Sequence, residues 1–309
     1  MKQKVLVLGA TGFLGRNIAK RLAEHPGYDV TCVVHEKLPW RHINVKWLHA
    51  DLCDPENVDA VMQDKDIVIQ AAAVTSGCQD TFGKPWIHVT DNAVMNAYIF
   101  RSAFEHKVKQ VVYFSCSTMY SGGHVNEMAE VFPHPRYFGM VNTKLYNEKM
   151  CAFYAGLGET KFTVIRGSNF YGPYDKFDLE RTHVFGATMT KVAQADKDII
   201  VWGNGTEARD LLYIDDLVSF VQCAIERQKN SYELFNCGSG TATPINELVA
   251  KIIEASGKKI NITYDTSKPT IDMSVSLDCS YAQEQIGWHP ITMLEQGIHK
   301  TWKWFQENK

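Results

Sequence analysis

Along the first two-thirds of the chain, short and nearly unbroken apolar runs alternate with amphipathic stretches. The runs Lys4 to Leu8, Val30 to Val34, Ile67 to Ala71, Gln110 to Ser115 and Phe162 to Arg166 read as strands. Between them, Arg16 to Glu24, Val89 to Phe104 and Lys144 to Tyr154 carry apolar residues at helical spacing. Strands apolar on both faces and separated by helices predict a parallel sheet covered on both sides. After about Gly167 the loops lengthen. Shorter strands (Ile199 to Trp202, Asp210 to Ile214, Glu233 to Cys237) then mix with helices near Asp216 to Glu226, Ile245 to Ala255 and Leu294 to Phe305. The expected fold is therefore α/β: a doubly wound parallel sheet with a smaller C-terminal α/β domain built over the C-terminal edge of the sheet. The first domain is expected over residues 1–167 and the second over 168–309, with segments interleaving and some returning to the first sheet. Glu254-Ala-Ser-Gly257 reads as a helix stop and Pro269 as a loop.

Composition narrows the classes. A chain of 309 residues with 45% hydrophobic content can bury a large core. A net charge of -3 without a long basic block gives no face for nucleic acid. The eight cysteines (Cys32, Cys53, Cys78, Cys116, Cys151, Cys223, Cys237 and Cys279) include no C-x-x-C pair, which predicts reduced, mostly buried thiols and a cytoplasmic protein. Eleven histidines include no H-E-x-x-H spacing, so no metal site is expected. The start runs straight into a strand without signal-peptide organisation, and no apolar run nears the roughly eighteen residues of a membrane span, so a soluble, membrane-free protein is expected.

The first strand leads into Gly9-Ala10-Thr11-Gly12-Phe13-Leu14-Gly15 and then a helix. Glycines here permit a tight turn, close approach of backbone N–H groups to a pyrophosphate, and packing of helix on strand. The positive end of the helix dipole then faces the phosphates. The position between first strand and first helix makes this a dinucleotide-binding, Rossmann-type signal. Asp51-Leu52, after a short strand, could bond the adenine, although Asp51 is equally suited to cap a helix. Ala71-Ala72-Ala73 follows the fourth strand, where small residues let a cofactor lie on the backbone. The second strand ends in Val34-His35-Glu36-Lys37 rather than in the acid that usually binds a ribose 2′-OH. His35, with Lys37 and Arg16, would suit a 2′-phosphate, so NADP(H) is favoured and NAD(H) remains possible; the alternative is a solvated charge cluster.

Three further segments carry a resemblance. Tyr113-Phe-Ser115-Cys116-Ser117-Thr118-Met-Tyr120, Arg166-Gly-Ser-Asn169-Phe-Tyr171-Gly-Pro173 and Arg209-Asp-Leu-Leu-Tyr213-Ile-Asp215-Asp216 resemble the extended short-chain dehydrogenase/reductases, the NAD-dependent epimerase/dehydratase family that acts on nucleotide sugars. The likeness covers essentially the whole chain. Gly172-Pro-Tyr-Asp-Lys-Phe-Asp178, His183-Val-Phe-Gly and Val201-Trp202-Gly-Asn-Gly are most similar to the GDP-fucose synthase subfamily, which epimerises and reduces a GDP-4-keto-6-deoxy sugar.

The resemblance implies roles residue by residue. Lys144 would hold the nicotinamide ribose and depress the pKa of a tyrosine one helical turn before it, but Met140 stands there, and a thioether neither donates nor accepts a proton. Cys116 stands at the catalytic serine or threonine position, four residues before Tyr120; a one-residue slip would make Ser115 or Ser117 that hydroxyl. Thr118 replaces the epimerase cysteine and His183 retains the epimerase histidine, which predicts that double epimerisation is narrowed or lost. On the sugar side stand Asn169, with Arg209 and Lys191 for the pyrophosphate and Trp202 and Phe177 for stacking on the base or lining the sugar. Substitutes for the missing acid are His183, Cys116, Tyr137 or a water on Lys144; each also has a packing or binding alternative. Two functions follow: a nucleotide-sugar reductase or epimerase with rerouted proton transfer, or a binding protein that has lost turnover. The family's four-helix dimer contact implies a homodimer through Val89 to Phe104 and Met140 to Tyr154, where Ala97, Phe100, Ala103, Phe104, Met150 and Phe153 are contacts or core.

Overall fold

The computed structural model describes residues 1–75, 84–179, 182–268, 270 and 273–309. Cys78 and Pro269 lie outside these. The strands are β1 Gln3–Leu8, β2 Tyr28–Val34, β3 Val45–His49, β4 Ile67–Gln70, β5 Gln110–Phe114, β6 Gly123–Val125, β7 Lys161–Gly167, β8 Asn169–Tyr171, β9 Asp198–Trp202, β10 Ala208–Tyr213, β11 Tyr232–Cys237, β12 Ala242–Pro244, β13 Asn261–Asp265 and β14 Ser274–Leu277. Among the described residues, the helices of at least seven residues are α1 Phe13–Glu24, α2 Pro55–Met62, α3 Thr90–Glu105, α4 Phe138–Ala155, α5 Val184–Gln194, α6 Ile214–Arg227, α7 Ile245–Ser256, α8 Ser280–Ile286 and α9 Leu294–Asn308.

Alternation within β1 organises both faces of the main sheet. Val5 and Val7 point into a core closed by α1 and α6, while Leu6 and Leu8 point into one closed by α2, α3 and α4. Each of these four side chains is 0% exposed, worth roughly 1.5–3 kcal/mol apiece against exposure. The seven strands run in the order β11-β7-β5-β4-β1-β2-β3, every pair parallel. From β1 the chain builds outward through β2 and β3, and from β4 it builds the other way. The crevice at the carboxyl ends of β1 and β4 is thus the topological switch point where such sheets bind ligands.

A second sheet has the order β12-β10-β14-β6, with β8 also paired to β10, and β9 with β13 forms a parallel ribbon. Interleaving runs in both directions. β6 comes from the first part of the chain yet lies in the second sheet. β11, read from sequence within the C-terminal rhythm, forms the outer edge of the main sheet beside β7. The reason is burial: Phe235 and Cys237 of β11 are 0% exposed and join the core under α6. Gly257 ends α7 in the left-handed conformation with φ 69°, as the Glu254–Gly257 stop anticipated.

Candidate active site

The loop after β1 is built by close approach. Gly9 has φ +73°, and a Cβ there would stand 2.5 Å from the Ala72 nitrogen and 2.6 Å from the Ala71 carbonyl oxygen. A Cβ on Gly15 would stand 2.4 Å from the Gly9 carbonyl oxygen, so α1 seats directly on the loop. Gly12 is the N-cap of α1 with no side-chain cap, and a Cβ there would meet only the Gly9 oxygen at 3.2 Å. The first N–H groups of α1 are therefore left for an anion, beside half-buried Thr11, Phe13 and Leu14. Across the crevice, the backbone after β4 is held in place. Gln70 bonds both the N–H and the C=O of Ala72 at 3.2 Å and also reaches Asn96 at 2.8 Å. Asn92 bonds both backbone groups of Val74, at 2.9 and 3.0 Å. Ala71 and Ala72 are half-buried and Ala73 is exposed, so the floor stays small and open.

At the far end, His35 follows β2, exposed, with its ring edge-on to His49 at 5.9 Å. Lys37 is exposed too. Arg16 is turned elsewhere than expected: its guanidinium lies 3.9 Å from the Tyr174 ring centroid and 5.6 Å from that of Trp40. Trp40 in turn donates to the Ala10 carbonyl at 2.9 Å. Asp51 does not cap α2. It accepts the Cys53 N–H at 2.9 Å, and Asp54 is the cap, accepting from Glu56 and Asn57. The Leu52 side chain is buried in the core under α2.

The residues expected to carry the chemistry lie beyond β5. Lys144, on α4, donates from Nζ to the Phe114 carbonyl at 2.6 Å, and its ammonium lies 5.0 Å from the Tyr113 ring centroid. Desolvation lowers its pKa, opposed by Cys116, Glu148 and Cys151. Met140, one turn earlier, is half-buried in an apolar cluster that includes Cys116, Tyr137, Met119 and Val141. Cys116 is extended, φ -149° and ψ 156°, and its Sγ accepts the Thr118 hydroxyl at 3.1 Å. Burial pushes the thiol pKa up while the Lys144 ammonium and the Thr118 bond pull it down. Ser117 opens the short 3-10 turn Ser117–Met119.

Ser115 is not an open hydroxyl. It donates to Glu148 Oε1 at 2.5 Å, in a network the sequence reading missed. Glu148 also receives Arg166 through Nε at 3.1 Å and Nη2 at 2.7 Å, with both side chains almost fully buried. Arg166 Nη1 reaches the Tyr120 hydroxyl at 3.0 Å, and that hydroxyl donates to Asn236 at 2.9 Å. Arg166 and Tyr120 served as motif markers only; the signal for Glu148 was a carboxylate four residues after Lys144 on the same helix. This network commits Ser115 to Glu148 and does not include Cys116.

Of the residues expected to face a sugar, His183 stands at the N-cap of α5 with its side chain exposed. Desolvation lowers its imidazole pKa, and the Lys176 ammonium pushes the same way. Lys176, which sequence reasoning did not single out, donates to Thr75 at 3.0 Å and ties this loop to the one after β4. Beside it, burial pushes the Asp175 carboxyl up to about 7. Asn169 donates to the Asp210 carbonyl at 3.2 Å, one residue from Arg209. Arg209 bonds the Met273 carbonyl at 2.7 Å and lies 3.7 Å from Glu207. Lys191 bonds the Ile200 carbonyl at 2.8 Å and sits 5.8 Å from the ring of Trp202, which is 41% exposed. Phe177 is not available to stack: it is 6% exposed and packs on Phe305 and Trp304. Among the described residues no group of three or more His, Cys, Asp or Glu could hold a metal ion, and no helix is long and apolar enough to cross a membrane.

Residues 5–238 match the NAD dependent epimerase/dehydratase family. The chain belongs to this family. It is 26% identical to a GDP-L-fucose synthase of Escherichia coli over 100% of this chain and 98% of that one. It is 24% identical to a GDP-L-colitose synthase of Yersinia pseudotuberculosis, covering 99% of each. Its fold superposes on a UDP-glucose 4-epimerase of Thermotoga maritima with TM-score 0.87 at 24% identity, covering 99% of both chains. Family membership makes the chain an NAD-dependent type of enzyme, and the crevice fits such a dinucleotide. Gly9 and Gly15 close the turn, Gly12 leaves it open, and the N–H groups at the head of α1 face the gap. When bound there, a nicotinamide dinucleotide supplies or removes a hydride.

Proposed function

We propose that this chain is a reductase, with or without epimerisation, for a GDP-linked 4-keto-6-deoxy sugar. The observation that carries this reading is the pairing of a dinucleotide cradle with Lys144, whose ammonium is held at the end of β5. Full-length similarity to GDP-L-fucose and GDP-L-colitose synthases supports the sugar and the nucleotide. Arg209, Lys191 and Trp202 give the nucleotide end cations and an accessible aromatic face, and Asn169 and His183 face the sugar. The dinucleotide is NADP(H): His35 and Lys37 stand exposed after β2 where a 2′-phosphate would lie. The protein works as a homodimer through the outer face of α4, where Tyr146 and Phe153 are 46% and 54% exposed while Phe100 and Ala103 of α3 are core.

Met140 favours a second reading, a protein that binds cofactor and nucleotide sugar without turnover. One assay separates the two. GDP- and dTDP-linked 4-keto-6-deoxy sugars are supplied with NADPH and with NADH, and cofactor oxidation and sugar product are followed. Reduction of the GDP sugar, faster with NADPH, is expected. Binding of both ligands with no change in either would overturn the reductase.

A further inference from the structure

We propose that the Cys116 thiol is the acid of this site, giving its proton to the sugar oxygen beside the Lys144 ammonium in place of the missing tyrosine hydroxyl. This rests on the reductase reading above. Met140 holds no transferable proton, and Ser115 is consumed by Glu148. Thr118 is turned onto Sγ at 3.1 Å, where an O–H donor stabilises developing negative charge on sulfur. Lys144 is anchored on the carbonyl of Phe114, two residues before Cys116, and α4 brings Met140 into the same cluster as the thiol. Burial raises the Cys116 thiol and so keeps it protonated at neutral pH, ready to give its proton, while its reference value near about 8.5 lies below a phenol's near about 10; a serine or threonine hydroxyl is far too weak. Met140 fills the apolar volume beside it.

Charge divides the labour with His183. Desolvation and the Lys176 ammonium lower the pKa of that imidazole, which favours a base over the acid. His183 is thus placed to take a proton from carbon, and Cys116 to give one to oxygen.

The step balances as follows in bonds. Two electrons arrive at the carbonyl carbon with the hydride from the reduced nicotinamide dinucleotide, and the C=O π pair moves to oxygen. The S–H bond breaks, its proton forms the new O–H, and its electron pair stays on sulfur as thiolate next to Lys144 and Thr118. Solvent returns the proton to sulfur.

Two measurements test this. In steady-state kinetics, Cys116→Ala is expected to lower kcat by about 10²-fold or more with KM and ligand binding little changed. Cys116→Ser is expected to recover little of this loss. Adding Met140→Tyr to Cys116→Ala is expected to restore at least about tenfold by supplying a phenol. A Cys116→Ala enzyme within about threefold of the parent kcat would overturn the proposal, since an acid is typically worth 10²-fold or more. Separately, the pH dependence of iodoacetamide labelling at Cys116, read by peptide mass mapping, is compared with that of Lys144→Met. Loss of the ammonium is expected to move the labelling midpoint up by about one pH unit or more. An inactive parent whose midpoint still responds to Lys144 would overturn the reductase reading and support the pair. An active parent with an unresponsive midpoint would overturn the pair alone.

Discussion

Lys144 and Phe114 are joined by a 2.6 Å hydrogen bond from Nζ to the carbonyl oxygen at the end of β5. The bond fixes the ammonium at the carboxyl end of β5, on the carbonyl two residues before Cys116, and it does not involve the side chain at position 140. A tyrosine at 140 would rise from the same helix face one turn before this ammonium. Met140→Tyr is therefore expected to change kcat by less than about tenfold in the otherwise unaltered enzyme, because an acid is already present. A gain of about 10²-fold or more would show that the site lacks a proton donor.

The glycine loop separates folding from binding. Gly9→Ala forces a Cβ to 2.5 Å from the Ala72 nitrogen at φ +73°, so it is expected to cost about 2 kcal/mol or more and to abolish dinucleotide binding. Gly12→Ala meets only one oxygen at 3.2 Å, so it should fold within about 1 kcal/mol of the parent while binding the dinucleotide more weakly. Denaturant melts and calorimetric titration of each variant check this. Equal effects of the two substitutions would contradict the division.

Periodicity made the main sheet legible, because β1, β4, β5 and β7 are apolar on both faces and flanked by helical stretches. It could not place β11 or β6, since a short strand in a late or loop-rich segment carries no sign of which sheet it joins. The dinucleotide end was legible through glycines, whose spacing reflects backbone contacts. Of the two readings left open for Asp51, capping falls away because Asp54, three residues closer to the helix, supplies the cap of α2. Phe177 was misread because an aromatic beside a binding motif does not announce that Trp304 and Phe305, far along the chain, cover it. The polar staples Glu148, Gln70, Asn92 and Lys176 act across elements distant in sequence, so a single chain pattern could not pair them.

Glu148 holds Ser115, Arg166 and, through Arg166, Tyr120, and so sets the path of the 115–120 loop that presents Cys116. Glu148→Gln leaves the Arg166 charge buried without its partner, a loss expected to cost about 3–5 kcal/mol. A melt within about 1 kcal/mol of the parent would show that the pair contributes little net stability.

Thr118 stands where the resemblance places an epimerase cysteine, and its hydroxyl is committed to Cys116 Sγ at 3.1 Å. Of the epimerising pair the resemblance implies, His183 alone is kept, so product formed in deuterium oxide is expected to carry solvent deuterium at no more than one of C3 and C5. Mass and proton spectra of the product decide this; label at both carbons would mean a second group supplies the proton.

Asp175 titrates near neutrality for a structural reason. Burial disfavours its carboxylate and lifts the pKa to about 7, against partial compensation from the Lys176 N–H at 2.7 Å and the Lys176 charge. The unfolded chain releases this proton near about pH 3.9. Between those values the native state holds a proton that the unfolded state has lost, so this group's contribution to stability falls as pH rises through that window and is gone above the folded pKa. Asp175→Asn removes the titration. The variant is expected to gain on the parent as pH rises from 4 to 8, by on the order of 1–2 kcal/mol, a figure discounted because the residue is only partly buried. Denaturant unfolding of both proteins across that range gives the difference directly, and a difference independent of pH would show that the Asp175 carboxyl titrates like one in water.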